Sequence, residues 1–111
     1  MTRELVIELA RLLDQKMAKD ISVLYIEKLT TIASYFIILT AQSDRQMGAL
    51  KDTIEEFMFK NGIEEKNTEG NAHSSWLLLD YGDAAIHIFT NESREFYDLD
   101  HIWKDAEKID F

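Results

Sequence analysis

The chain has 111 residues, of which 46% are hydrophobic and 30% are charged, and it contains no cysteine. This length and composition predict one globular domain over residues 1–111. The absence of cysteine excludes disulfides and thiolate chemistry and is typical of a reducing cytoplasm. The first twenty residues hold no apolar segment like that of a signal peptide, and no stretch has the roughly 18 apolar residues of a membrane span. We therefore expect a cytoplasmic protein that does not insert into membranes.

The net charge of −9 is unevenly distributed along the chain. Residues 1–60 contain 8 Lys or Arg and 9 Asp or Glu, a balance of −1, whereas residues 61–111 contain 4 and 12, a balance of −8. An acidic surface repels phosphate backbones, so direct sequence-specific nucleic-acid binding is not expected. Two interpretations stay open: the acidic half attracts a basic protein surface, or it only keeps the protein in solution.

Apolar periodicity predicts a helix and two strands in the first forty residues. A stripe at helical spacing predicts a helix over residues 3–18. Residues 21–27 alternate as a strand does, and the continuous apolar run at residues 35–40 predicts a strand that is buried on both faces and central in a sheet. The stripe of the helix consists of Leu5, Val6, Leu9, Leu12, Leu13 and Met17.

Capping signals delimit a second helix. Ser43 can accept a hydrogen bond from the amide three residues on, and Gln46 can reach back to the Ser43 amide, so that the two form a capping box. Asn61 and Gly62 predict the end of this helix. Residues 63–74 are polar and predict a connection with room for a short edge strand. The apolar stripe consists of Met47, Leu50, Ile54, Phe57 and Met58.

A β-hairpin is predicted from two strands, residues 76–81 and 84–89, around a two-residue turn at Gly82 and Asp83. Counting across the turn pairs the strands and separates two faces. The aliphatic face, which we expect to pack on the two helices, consists of Leu77, Leu79, Ile86 and Ile88. The opposite face, here called the aromatic face, consists of Trp76, Leu78, Asp80, Ala85, His87 and Phe89.

A third helix is predicted after the hairpin, with Asn91 as its N-cap and with the aromatic residues Phe96, Tyr97 and Trp103. The order of elements is then α-β-β-α-β-β-α, which predicts an α/β (α+β) fold with a mixed sheet and flanking helices. The third helix either folds over the aromatic face to make a second core or leaves this face open to a partner. Both alternatives hold if the helix covers only part of the face.

The polar residues of the hairpin form no known catalytic or metal-binding motif. The three histidines lack the spacing of a metal site, and the four scattered glycines form no phosphate loop. No serine lies in a nucleophile elbow. We therefore predict no catalytic residue, no metal and no cofactor. Asp83 is interpreted as a turn former, and Asp80 as a group that could receive a cation or an amide from a partner.

The hairpin and its surroundings resemble a known family. The stretches KDISVLYI, SYFIILTAQSDRQ, WLLLDYGDAAIHIF and ESREFYDLDHIW are similar to those of the ribosomal silencing factor family, also called Iojap-like, over residues 19–103. Ser34 and Ala41 depart from the family pattern, which usually has Asp and Gly there. The positions that match the signature are Trp76, Asp80, Tyr81, Gly82, Asp83, His87, Arg94 and Tyr97, and together with Leu78 they form the predicted partner-binding set.

The resemblance implies a fold related to the nucleotidyltransferases. This sequence lacks the Asp-x-[Asp/Glu] pair that holds metal in those enzymes, because Asp83 lies at the turn and no acidic residue follows it in the strand. The resemblance also implies a protein that is not an enzyme. Such a protein binds the large ribosomal subunit through ribosomal protein L-fourteen, blocks docking of the small subunit and represses translation when nutrients are short.

Two further hypotheses stay open. One is a residual nucleotidyltransferase, or a nucleotide-binding protein, that uses Asp80, Asp83 and His87. The other is a homodimer in which each copy covers the aromatic face of its twin, since two-fold self-association is common.

Overall fold

The computed structural model describes all residues from Met1 to Phe111. They form a six-stranded mixed sheet with helices on both of its faces. The predicted mixed sheet with flanking helices is confirmed, although the sequence predicted four strands and allowed one more at the edge. None of the helices has both the length and the apolar character that crossing a bilayer demands. The elements are α1 (Arg3–Gln15), β1 (Lys19–Tyr25), β2 (Tyr35–Thr40), α2 (Asp44–Lys60), β3 (Asn67–Glu69), β4 (Trp76–Asp80), β5 (Ala84–Phe89), α3 (Asn91–Tyr97), α4 (Leu99–Ile102) and β6 (Glu107–Lys108).

The strands lie in the order β3-β4-β5-β2-β1-β6. Only β2 and β5 run parallel to each other, and every other neighbouring pair is antiparallel. All six residues of β2 and all six of β5 are buried, because these strands occupy the middle of the sheet and are covered on both faces. The predicted central position of residues 35–40 is therefore confirmed.

The hairpin has the register that counting across its turn predicts. Trp76 lies opposite Phe89, and Leu78 lies opposite His87. The aliphatic face joins the main core, in which α1 and α2 pack on the sheet. The aromatic face lies on the other side of the sheet and belongs to a second, smaller core beneath the C-terminal helices.

Helix α1 ends three residues earlier than predicted. It stops at Gln15, and Met17 takes a left-handed conformation with φ of 69°. The turn is closed by a hydrogen bond from the Ala18 amide to the Leu13 carbonyl, 3.1 Å long. The assignment of Met17 to the apolar stripe was wrong, since its side chain points outward and is 73% exposed.

Helix α2 begins at the predicted cap, with one difference. The Ser43 hydroxyl accepts a hydrogen bond from the Gln46 amide at 3.1 Å, as predicted. The Gln46 side chain does not return to the Ser43 amide. It accepts instead from the Gln42 amide at 2.7 Å and donates to the Met17 carbonyl at 2.9 Å, so it joins the start of α2 to the turn after α1. The predicted end at Asn61 is confirmed, and Gly62 follows with φ of 70°.

The C-terminal region departs most from the predicted order. The N-cap of α3 is Thr90 and not Asn91, because Thr90 is extended and its hydroxyl accepts from the Ser93 amide, whereas Asn91 is already helical. Asp98 adopts a left-handed conformation, with φ and ψ of 50°, and so divides the predicted third helix into α3 and α4. The short edge strand β3 falls within the segment where the sequence allowed one, and β6 was not predicted.

Removal of the α2 cap tests this account of the helix start. We expect Ser43→Ala to lower the free energy of unfolding by about 1 kcal/mol, because the Gln46 amide loses its acceptor. Urea denaturation measures the change. Thr53→Ala is the matched control, since the Thr53 hydroxyl bonds only to the Ala49 carbonyl of its own helix. A loss as large for Thr53→Ala as for Ser43→Ala would contradict the assignment.

Candidate functional site

The C-terminal helices cover part of the aromatic face. Leu99 and Trp103 pack on the second core, where the Trp103 ring meets the edge of Phe36 at 5.3 Å between centroids. Phe89 is fully buried in this core. Trp76 and Leu78 remain half-buried at its margin. Both predicted alternatives therefore hold in part, because one half of the face is core and the other half reaches the surface.

Trp76 lies where the second core meets the surface. Its ring lies 4.9 Å from Phe89 on the sheet and 4.7 Å from Tyr97 on α3, measured between centroids. Its indole Nε1–H donates a hydrogen bond of 3.2 Å to Nδ1 of His87. Two aromatic neighbours and one directed hydrogen bond thus hold the indole in place.

His87 is buried and neutral. It is 5% exposed, and burial lowers the pKa of its imidazole to about 4, against a small opposing effect from Asp80. Because Nδ1 accepts the proton of the Trp76 indole, the ring proton resides on Nε2. This Nε2 is buried and has no hydrogen-bond partner in the protein. The ring also meets Phe36 edge-on, with centroids 4.6 Å apart.

Arg94 fastens the C-terminal helices to the sheet. Its Nε and Nη2 donate to the two carboxylate oxygens of Asp100, at 2.7 and 3.0 Å. Its Nη1 donates to the Thr40 hydroxyl at 3.0 Å, and Asp100 also accepts from the Ser22 hydroxyl at 3.1 Å. The hydrogen bond from Arg94 holds the pKa of the Asp100 carboxyl below its usual range. The forked pair therefore joins α3 and α4 to β1 and β2.

The residues around the hairpin turn have separate surroundings. Asp80 accepts a hydrogen bond from the Gly82 amide at 2.8 Å, and Gly82 has a φ of 84° that favours glycine. Asp83 is largely exposed, and its carboxylate accepts from the amino group of Met1 at 3.1 Å. Tyr81 lies in the main core, where burial raises the pKa of its hydroxyl. No three His, Asp or Glu side chains converge as a metal site requires.

Exposed apolar side chains continue the margin of the aromatic face onto α3. Phe96 is 81% exposed and Tyr97 is 42% exposed. Two shallow cavities of about 390 and 350 Å³ flank Tyr97, and Glu69 and Glu92 contribute to their walls. We call this region the Trp76 surface, and it consists of Trp76, Leu78, Phe96 and Tyr97 with Glu69 and Glu92 at its rim.

The structure thus sorts the predicted partner-binding residues by position. Trp76, Leu78 and Tyr97 meet on the Trp76 surface, whereas His87 and Arg94 lie behind it as supports. The four residues from Asp80 to Asp83 lie at the other end of the hairpin. Phe96, Glu69 and Glu92 were not among the predicted site residues. A periodicity analysis of α3 could have found Phe96, because the helix turns that side chain away from the core. A groove of about 540 Å³ between α1 and α2 holds no predicted site residue.

Comparison with known proteins places the chain in a family. A family model described as "Ribosomal silencing factor during starvation" matches residues 1–111. The chain belongs to this family. It is similar to the ribosomal silencing factor RsfS of Bacillus subtilis (strain 168), with 37% identity over 97 residues that cover 87% of this chain and 82% of that protein. The family resemblance predicted from the hairpin signature is confirmed, and the names of these relatives denote a regulatory role.

Two further relatives extend the comparison. A crystal structure of a protein from Chromobacterium violaceum shares the fold with a TM-score of 0.84 at 30% identity, covering all of this chain and 92% of that one. The mouse protein named "Mitochondrial assembly of ribosomal large subunit protein 1" is 30% identical over 99 residues, which cover 86% of this chain and 43% of the mouse protein. The mixed α and β architecture is therefore shared with solved relatives of the family.

The lowered pKa of His87 predicts a specific loss of stability in acid. The pKa is about 4 in the folded protein and about 6.5 in the unfolded chain, so the unfolded chain binds more protons between these values. The free energy of unfolding should fall as the pH drops from 6.5 to 4, by about 3 kcal/mol from this residue. Urea denaturation at pH 7 and pH 4 measures the loss. It should be smaller by that amount in His87→Phe, and equal losses in the two proteins would contradict the prediction.

Arg94→Lys tests the clamp on the C-terminal helices. Lysine keeps the charge but cannot form the forked pair, so we expect the free energy of unfolding to fall by about 1–2 kcal/mol. The expected loss is no larger because Asp100 is partly exposed and solvent screens the pair. Amide hydrogen exchange should accelerate in α3 and α4 and stay slow in β2 and β5. The control is Arg3→Lys, at the exposed pair with Glu107, which should change stability little. Uniform acceleration over the whole sheet would refute a local clamp.

Proposed function

We propose that this protein binds the large ribosomal subunit through the Trp76 surface and thereby prevents the small subunit from joining. Membership of the ribosomal silencing factor family supports a role in repressing translation. The mouse relative, named for assembly of the large ribosomal subunit, supports the large subunit as the partner. In bacteria such a role is performed in the cytoplasm. The proposal needs no catalysis, because occupying one contact between the subunits is enough to block their association.

The observation that carries the proposal is the half-buried Trp76 with exposed aromatic neighbours. Phe96 and Tyr97 expose large apolar area beside it, and tryptophan and tyrosine are the residues that most often anchor protein interfaces. Trp76 is already held by the sheet and by α3, so little side-chain freedom would be lost on binding. A fixed aromatic anchor at a surface is what a binding protein needs.

The acidic charge around the Trp76 surface indicates the chemical class of the partner. The rim of the Trp76 surface carries Glu69 and Glu92, and it lies in the half of the chain with a balance of −8. A basic protein surface would be attracted to it, and the attraction would raise the association rate at low salt. Ribosomal protein L-fourteen, the partner implied by the family resemblance, is the candidate we propose.

A matched pair of exposed phenylalanines tests which surface binds. Phe96 is 81% exposed on α3, and Phe59 is 85% exposed on α2, across the sheet from the Trp76 surface. We expect Phe96→Ala to weaken binding to large subunits by about 1 kcal/mol or more, and Phe59→Ala to leave it unchanged. Both changes should alter the melting temperature little, since both side chains are more than four-fifths exposed and Phe96 contributes only its edge contact with Tyr97. An equal effect of the two substitutions on binding would contradict the proposed surface.

Sucrose-gradient sedimentation of purified ribosomal subunits tests the function itself. Saturating protein should reduce the joined ribosome peak, and the Trp76→Ala variant should lose this effect because binding weakens by about 2 kcal/mol or more. The melting temperature of Trp76→Ala will also fall, because its ring packs on Phe89, so binding is compared at a temperature where the variant is folded. Undiminished joining at saturating wild-type protein would refute the proposal.

A further inference from the structure

His87 and Trp76 are diagonal neighbours on the same face of the hairpin. His87 lies opposite Leu78, two residues along β4 from Trp76, which is within reach of long side chains. The resulting bond from Trp76 Nε1 to His87 Nδ1, 3.2 Å long, joins a residue at the surface to one inside the second core. It is the hydrogen bond that fixes the indole of Trp76 in this structure.

The aromatic neighbours of Trp76 pack on its ring and form no hydrogen bond with its Nε1. Such ring contacts do not distinguish the nitrogen of the indole from its carbon atoms. The second side-chain torsion of tryptophan has a broad preference, so it does not fix the ring orientation by itself. The hydrogen bond to His87 is the contact that is specific to the edge of the indole that carries Nε1. It therefore favours the orientation in which this edge faces His87.

Packing alone does not explain why this position is a histidine. His87 is 5% exposed, and its Nε2 is buried without a hydrogen-bond partner. Buried polar atoms without partners are rare because they are costly, and a phenylalanine would fill the same space against Phe36 without that cost. The one polar interaction that the ring makes is with Trp76. The hydrogen bond that Nδ1 accepts from Trp76 is thus the one interaction that explains an imidazole at this position.

We propose that His87 is a positioning residue for partner binding. It does not touch the partner, but its Nδ1 holds the indole of Trp76 in the one orientation that the large ribosomal subunit recognises. The proposal rests on the proposed function, and it assigns to His87 an indirect part in it. It also specifies the chemistry that matters, which is a hydrogen-bond acceptor at the place of Nδ1 and not the shape of the ring.

Two substitutions at position 87 separate these properties. His87→Asn keeps an acceptor, since its Oδ1 lies about where Nδ1 was, but it loses the ring that packs on Phe36. His87→Phe keeps a ring and loses the acceptor. If His87 serves only the core, His87→Phe should keep stability and binding, and His87→Asn should lose both. If His87 positions Trp76, His87→Asn should bind the large subunit better than His87→Phe, although His87→Phe should still have the higher melting temperature.

Nuclear magnetic resonance of the indole N–H group tests the hydrogen bond without any ribosome. The protein has two tryptophans, so the signal of Trp76 is assigned as the one missing in Trp76→Phe. This signal should shift upfield and exchange faster with solvent in His87→Phe, and it should stay closer to the wild-type position in His87→Asn. An unchanged Trp76 signal in His87→Phe would overturn the positioning role, whatever the binding data show.

Affinity for purified large subunits completes the test. We expect His87→Phe to bind at least about tenfold more weakly than wild type although it melts no lower, and His87→Asn to retain most of the affinity. In a Trp76→Phe background, which lacks the indole N–H, the two variants at position 87 should no longer differ in their affinity for large subunits. Equal affinities of wild type and His87→Phe would overturn this inference alone. Wild-type protein that fails to bind large subunits would overturn the proposed function and the binding part of this inference, while the resonance result stands separately.

Discussion

The forked pair between Arg94 and Asp100 sets how much of the aromatic face a partner can reach. The pair links α3 and α4 to each other, and hydrogen bonds to Thr40 and Ser22 anchor it on the sheet. With the helices fixed there, Trp103 covers Phe36 and leaves Trp76 at the margin. The position of the candidate binding surface therefore depends on this charged contact together with the apolar packing of Leu99 and Trp103.

The two faces of one hairpin have different tasks because strand side chains alternate. The aliphatic side chains of β4 and β5 meet α1 and α2 in a core of 22 buried residues. The aromatic side chains lie beneath the two short helices α3 and α4, in a core of seven. The larger core can hold the fold while the smaller one is partly open. This division allows aromatic area to remain at the surface without endangering the sheet.

The sequence predicted those features that follow from local chemistry and counting. The hairpin register follows from a two-residue turn. The start of α2 follows from Ser43 and from Gln46 three residues later in the sequence. The predictions that failed concern features that local chemistry and counting do not determine. Asp98 divides the last helix by taking a left-handed conformation, and the pattern of apolar residues continues through it unchanged. The split becomes evident only in the structure, where Arg94 on α3 pairs with Asp100 on α4.

The predicted site shows the same division. The signature identified Trp76 and Tyr97, which meet on the surface, but it also included Tyr81, which lies in the main core. A signature does not separate a residue that touches a partner from one that holds the fold, since both are required for function. Phe96 lies on the surface but was not among the predicted site residues. Burial and contacts supply this distinction, and they depend on how α3 is turned against the sheet.

The buried histidine explains how such a surface could be both stable and specific. Nε2 of His87 is held in the core without a partner, which costs stability, and burial keeps the ring uncharged at neutral pH. The same burial removes water that would compete for Nδ1, so the bond to Trp76 is stronger than it would be at the surface. Binding then requires little ordering of the anchor, and charge around the rim can act mainly on the rate of encounter. Stability lost in the core would thus be exchanged for a fixed aromatic edge, and a protein that works by occupying a surface needs that edge more than it needs a reactive group.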